Sequence, residues 1–142
     1  MKFLLFYFFI ISQAMASFDH HHNLFAKVLS KSAIKKEDQT LINYQKIKAN
    51  PEGLNSYLKS LEVLKTSKFK LFSKDQKLAF WINAYNAYTI KITIEYYPVK
   101  SIKEVHDNHI YQRGPRYIKF IQLLQKKLSL NNIEHDIIRE TF

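Results

Sequence analysis

The sequence contains no cysteine among its 142 residues. This absence excludes disulfide bonds, thiolate nucleophiles and metal sites built on cysteine. Glycine is nearly as rare, with 2 residues, which disfavours a glycine-rich phosphate loop or a β fold with many tight hairpins. Neither GxGxxG nor GxxxxGK[ST] occurs, so the chain does not bind nucleotides by those routes. We therefore expect no cofactor and no metal.

A hydrophobic run long enough to span a membrane is also lacking at the N-terminus. The apolar run Phe3–Ile11 is too short for a hydrocarbon core that is about 30 Å thick. Lys2 precedes this run and Ala14-Met15-Ala16 follows it, an order typical of a secretory signal peptide. We predict that residues 1–16 are a signal peptide cleaved after Ala16. The mature chain is then secreted or periplasmic, with no stable membrane anchor.

Acidic residues are few, 12 against 22 lysines and arginines, and the formal net charge is +10. A basic balance can indicate nucleic acid, anionic lipid or acidic polymers as partners. The lysines are scattered along the chain, and an export signal argues against nucleic acid. We therefore predict a protein or envelope component of unknown identity as the partner, and no nucleic acid.

The apolar and aromatic residues, 46% and 15% of the chain, are sufficient for the core of one domain. Apolar periodicity predicts helices over 23–32, after a cap at Asn50, and after Ser129. Short strands are expected at 41–44, over 117–123 and around Leu128. The pattern indicates an α+β fold that is mostly helical with a small sheet.

The central element is a long helix that begins after Ser73 and ends near Tyr96. Ser73 and Gln76 have the spacing of a capping box, and Pro98 ends the helix. Its predicted apolar face consists of Leu78, Trp81, Ile82, Tyr85, Tyr88, Thr89, Ile92 and Tyr96. A helix with so broad an apolar face is more than half buried.

Asn83 and Asn86 are the residues of this helix that core packing does not explain. They are three apart and therefore neighbours on one side of the helix. A buried amide without a hydrogen-bond partner costs about 1–3 kcal/mol, so each needs a partner if it is buried. The asparagines either bond to a nearby loop or line a functional site, and the residue types favour the loop.

Histidines occur in two places that invite a metal interpretation. Residues 20–22 are all histidine, but residues 17–22 have the character of a flexible tail at the N-terminus of the mature chain. His106, Asp107 and His109 also cluster, and a solvated loop is the favoured interpretation. Neither cluster predicts a metal site.

Three ordered motifs stand out in the sequence: INYQKIKANPEGLNSYLKSL, then KLAFWINAYNAYTIKITIEYYPVKSI, and later LSLNNIEHDIIR. Together they resemble the family catalogued as domain of unknown function 547. The resemblance covers roughly residues 22–142 and implies export in bacteria. It also implies a candidate polar site; no catalytic residue is assigned. The residues that carry this site are Trp81, Asn83, Asn86, Glu134 and His135.

Glu134 and His135 are adjacent, about 100° apart on a helix, so they do not face each other. A joint site requires the FWIN and IEH motifs to meet in space, which the sequence does not decide.

The pattern of this family continues beyond the IEH motif into a cysteine-containing segment that this sequence does not contain. The resemblance therefore implies that residues 23–142 are a partial domain of a truncated family member. Apolar helix faces left exposed would then favour self-association. We expect an exported domain that binds a partner or envelope component and is not an enzyme in this form. The alternative is a remnant of a thiol-dependent hydrolase or acyl-transferase that lacks its nucleophile.

Overall fold

A computed structural model of the chain describes residues 17–98 and 114–142. The predicted signal peptide, the YPVKSI turn beyond Pro98, and the trio His106, Asp107 and His109 lie outside the described residues. Within the described part of the chain, no helix has the length and apolar character needed to cross a membrane.

The described chain folds into six α-helices and two antiparallel hairpins, which confirms a mostly helical α+β fold. The predicted sheet is in fact two separate two-stranded sheets, β1 with β2 and β3 with β4. The elements are α1 (Asn23–Ser32), β1 (Ala33–Lys36), β2 (Gln39–Ile42), α2 (Tyr44–Ala49), α3 (Glu52–Glu62), α4 (Thr66–Lys70), α5 (Lys74–Tyr96), a 3₁₀ turn (Pro115–Tyr117), β3 (Ile121–Leu123), β4 (Lys126–Leu128), a π-helical segment (Asn132–Ile138) and α6 (Arg139–Thr141).

The helix α5 is the centre of the fold and begins with the predicted capping box. The Ser73 hydroxyl accepts from the backbone N–H of Gln76 at 3.2 Å, and the Gln76 side chain accepts from the backbone N–H of Ser73 at 2.9 Å. The predicted apolar face is wrong at Ile82 and Tyr96, which are 42% and 41% exposed. The helix is instead buried through residues on several sides, because α2, α3 and the π-helical segment all pack against it.

The helix α3 buries Leu54, Tyr57, Leu58 and Leu61, the apolar stripe that its periodicity predicts. The predicted start of this helix is wrong by one residue, because Pro51 rather than Asn50 is the residue that precedes it. No side chain caps α3, so its first N–H groups gain nothing from Asn50.

The segment 17–22 packs against the core, which departs from the flexible tail that the sequence predicted. Phe18 lies with its ring centroid 5.8 Å from that of Phe80 and 5.3 Å from that of Phe72. His22 is only 6% exposed, and its Nδ1 lies 2.7 Å from the Tyr57 hydroxyl. Contacts from residues 17–22 to side chains of the core thus hold the start of α1 in place.

The last element begins where the sequence predicts and continues in an unexpected form. The Ser129 hydroxyl accepts from the backbone N–H of Asn132 at 3.1 Å, which confirms Ser129 as the cap. Ile133 is fully buried, as its place in the apolar pattern requires. From Asn132 to Ile138 the backbone is π-helical rather than α-helical. Such segments are rare and are frequently found at functional sites.

Candidate functional site

The two signature motifs of the sequence meet in the structure. The helix α5, which carries FWINAYNA, packs against the π-helical segment, which carries IEH. The Tyr85 hydroxyl donates to Glu134 Oε2 at 2.9 Å, across 49 positions of sequence. This hydrogen bond joins a residue of the first motif directly to a residue of the second. We call the surrounding group of side chains the junction cluster: Tyr85, Arg116, Glu134, His135 and Arg139.

Two arginines complete the junction cluster around the Glu134 carboxylate. Arg116, from the 3₁₀ turn, donates to Glu134 Oε2 at 2.5 Å, and Arg139, from α6, donates to Oε1 at 3.0 Å. Both carboxylate oxygens are therefore occupied by donors. The two guanidinium charges exceed the single carboxylate charge, so the cluster is cationic.

The environment of Glu134 keeps its carboxylate ionised. Burial alone raises the pKa of this carboxyl, but the Tyr85 hydrogen bond and the positive charges of Arg116, His135 and Arg139 outweigh that effect and lower the pKa. Burial, together with the hydrogen bond to Glu134, raises the pKa of the Tyr85 hydroxyl. At neutral pH Glu134 is thus a carboxylate and Tyr85 a neutral donor.

His135 lies beside Glu134 without a hydrogen bond to it. Its Nε2 is 3.8 Å from Glu134 Oε1, which is beyond hydrogen-bond distance. The His135 side chain is 40% exposed. A protonated His135 adds positive charge near the Glu134 carboxylate. The two side chains are not hydrogen-bonded to each other, so they are not arranged as a catalytic base and the acid that orients it.

The other three residues predicted for the site, Trp81, Asn83 and Asn86, are not members of the junction cluster. Trp81 is 6% exposed and packs edge-on against Phe80, with a centroid distance of 5.1 Å. Asn83 donates to the Ala79 carbonyl at 2.9 Å, so its partner is its own helix rather than a loop. Asn86 is exposed, so its amide reaches solvent and needs no partner within the core.

The three consecutive histidines of the N-terminal segment do not converge on one point. His22 bonds to Tyr57, whereas the ring of His20 packs on Phe72 at a centroid distance of 4.4 Å. The part of the chain that the structure describes contains no group of three or more histidine, aspartate or glutamate side chains placed to hold a metal ion.

The sequence interpretation missed Tyr85, Arg116 and Arg139 as members of the site. The apolar pattern places Tyr85 on the buried face of its helix, although it lies between Asn83 and Asn86 in sequence. The arginines carried a usable signal. Only 3 arginines occur in a chain whose basic residues are mostly lysine, and 2 of them bind Glu134. Arginine is preferred over lysine where a carboxylate must be held in a fixed geometry.

The fold and the junction cluster define a small, mostly helical α+β domain with one ionised carboxylate held by two arginines at the meeting point of its two signature motifs. A family model described as "Protein of unknown function, DUF547" matches residues 69–142. That match covers just over half of the chain, and the chain therefore belongs to this family. No curated protein and no solved structure shows significant similarity to the chain.

Proposed function

We propose that this chain is an exported binding domain whose junction cluster holds an anionic group on a partner protein or envelope component. The observation that supports this most is the imbalance of charge at Glu134. Arg116 and Arg139 both face one carboxylate, so positive charge remains for a second anion. The full sequence has a net charge of +10, and of its charged residues only Lys2 lies in the predicted signal peptide, so the exported chain stays basic and attracts anionic partners generally.

The arginines also retain unused hydrogen-bond donors. Each guanidinium contributes a single terminal nitrogen to its hydrogen bond with Glu134. The two side chains are 42% and 64% exposed, so a ligand can reach them. A guanidinium presents several N–H groups in a plane that matches carboxylate and phosphate oxygens. The ligand group we propose is therefore a carboxylate or a phosphate.

Binding is favoured over catalysis by the state of the junction cluster. Glu134 stays ionised because its pKa is lowered, and its oxygens already accept hydrogen bonds from three donors. A carboxylate in that state is a weak general base, and it is not available as an acid at neutral pH. The alternative drawn from the family, a remnant of a thiol-dependent hydrolase or acyl-transferase, has no supporting contact among the described residues.

The test is a titration of the purified chain with citrate and with inorganic phosphate, followed by calorimetry at low salt. We expect saturable binding of at least one anion. Arg139→Gln should weaken it about fivefold, because an exposed charge contributes modestly to an ion pair. The matched control is Lys36→Gln, which removes the same charge from the exposed hairpin strand β1.

Two outcomes would contradict the proposal. One is the absence of saturable binding for both anions. The other is an equal loss of affinity in Arg139→Gln and Lys36→Gln, because that result assigns the binding to net charge rather than to the junction cluster.

A further inference from the structure

We propose that a second site, separate from the junction cluster, binds one medium-chain fatty acid. The site is a pocket of about 790 Å³ between the N-terminal segment, the α3–α4 connection and the start of α5. This volume lies within the range of cavities that hold one small ligand. Lys65 and Lys68 line the pocket on the side of α4. We assign the acyl chain to the pocket and the carboxylate to these two lysines.

The walls of the pocket are apolar side chains that remain open to solvent. Leu71 is 80% exposed, Val63 is 61% exposed and Leu24 is 46% exposed, and all three line the pocket. Phe18 and Phe72 add aromatic surface beside them. Grouped apolar side chains of this size on a basic domain indicate a surface that a ligand covers. An acyl chain removes these side chains from water.

The lysines at the rim of the pocket determine the sign of the charge that a ligand carries there. Neither Lys65 nor Lys68 forms an ion pair within residues 17–98 and 114–142. The one acidic residue in the lining, Asp19, is engaged at the start of α1. Its Oδ2 accepts from the backbone N–H of Asn23 at 2.7 Å, and its Oδ1 accepts from the backbone N–H of His21 at 3.0 Å. The lysines are thus available to an anion.

The deepest polar groups of the pocket do not compete for the carboxylate. His22 and Tyr57 are both buried, and they bond to each other at 2.7 Å. Burial lowers the pKa of His22, so this side chain stays neutral at neutral pH. An anion is therefore more stable at the lysine rim, in water, than beside this neutral pair. This places the carboxylate of the fatty acid at the solvent-exposed rim and its acyl chain inside the pocket.

The experiment is a calorimetric titration of the full chain with laurate and with dodecanol, both below their aggregation concentrations. Laurate should bind with saturation at one site and dodecanol should bind more weakly. Leu71→Asp, at a side chain too exposed to affect folding, should weaken laurate about tenfold, because it removes apolar contact and adds a negative charge. Lys65→Gln with Lys68→Gln should weaken laurate about fivefold and leave dodecanol unchanged.

The control pair is Lys70→Gln with Lys74→Gln, which removes two exposed charges near the pocket from residues that do not line it. Laurate binding should persist in this control and in Arg139→Gln, which alters only the junction cluster. Absence of saturable laurate binding overturns the proposal. Equal affinity for laurate and dodecanol overturns the assignment of the carboxylate to Lys65 and Lys68. An equal loss of laurate affinity in the Lys65/Lys68 variant and in the Lys70/Lys74 control overturns it too. Because laurate also carries a carboxylate, a loss of laurate binding in Arg139→Gln assigns that binding to the junction cluster and overturns the pocket. Citrate and inorganic phosphate test the junction cluster by themselves, so the failures of the two proposals are distinguishable.

Discussion

His22 is the buried polar residue of the N-terminal segment. Its backbone is left-handed, with φ at 51°, a conformation that is unfavourable for a residue with a side chain. The fold keeps it because the ring is buried and bonded to the Tyr57 hydroxyl. Burial lowers the pKa of His22; the Asp19 carboxylate opposes this effect and His20 adds to it. The folded chain therefore favours the neutral imidazole.

Acidification should destabilise the protein through His22. The unfolded chain takes up a proton near the ordinary histidine pKa of 6.5, whereas the folded chain takes it up only at lower pH. The stability contributed by the neutral ring is thus complete above that value and is lost as pH falls below it. Urea denaturation between about pH 7.5 and about pH 5.5 should show a falling free energy of unfolding.

The variant that tests this assignment is His22→Asn, because asparagine tolerates a left-handed backbone and does not titrate. It should flatten the pH dependence, whereas His21→Asn at an exposed neighbouring position should leave it intact. An unchanged slope in His22→Asn would show that another group is responsible.

At the scale of elements, the β3–β4 hairpin has a two-residue turn in which both residues have positive φ, whereas the equally short β1–β2 turn has positive φ only at Glu37. Ile121 pairs with Leu128 and Leu123 with Lys126, so only Leu124 and Gln125 form the connection. Both have positive φ, 49° and 65°. Two-residue hairpin turns of this kind strongly prefer glycine at the second position. This hairpin forms without glycine, because Leu124 is buried and holds the turn in place.

Gln125→Gly should therefore stabilise the protein. Relief of the left-handed backbone outweighs the entropy that glycine loses on folding, for a net gain of about 0.5–1 kcal/mol. The measurement is the urea midpoint of unfolding. The matched control is Gln122→Gly in strand β3, which should lower the midpoint because its backbone is extended. A lower midpoint in Gln125→Gly would contradict the assigned strain.

The helices show which parts of the fold local sequence determines. The capping box at Ser73, the stripe of α3 and the cap at Ser129 all follow from residues close in sequence. The buried sides of α5 could not be predicted in this way. Neighbouring elements pack against this helix from several directions, whereas apolar periodicity identifies only one face. The π-helical segment was also not predictable, because nothing in its residue types distinguishes it from an α-helix.

At the scale of the whole molecule, two of the three hydrogen bonds to Glu134 connect residues far apart in sequence, those from Tyr85 and Arg116. Residue types and the family motif led to Glu134, but its partners come from α5, the 3₁₀ turn and α6. Arg116 and Arg139 lie 18 and 5 positions from Glu134, and neither spacing signals a contact by itself. The pocket beside α4 was missed for a related reason, since the sequence predicted a flexible tail where residues 17–22 form a wall.

Export remains a prediction from the sequence of residues 1–16, and the proposed envelope partner depends on it. When the full reading frame is expressed in a bacterium, the exported fraction should begin at Ser17. N-terminal sequencing of that fraction is the direct measurement. The control is Ala16→Arg, which replaces a small residue of the A-x-A site and should leave the precursor uncleaved. A cytoplasmic product that retains Met1 would contradict the prediction.

The central claim is that the two signature motifs meet through Tyr85 and Glu134. A double-mutant cycle with Tyr85→Phe, Glu134→Ala and their combination tests it, with the free energy of unfolding measured in urea at neutral pH. Tyr85 donates to a carboxylate, so we predict a coupling energy of about 1 kcal/mol or more. Effects that add within about 0.3 kcal/mol would contradict a direct contact between the motifs, and with it the site built on that contact.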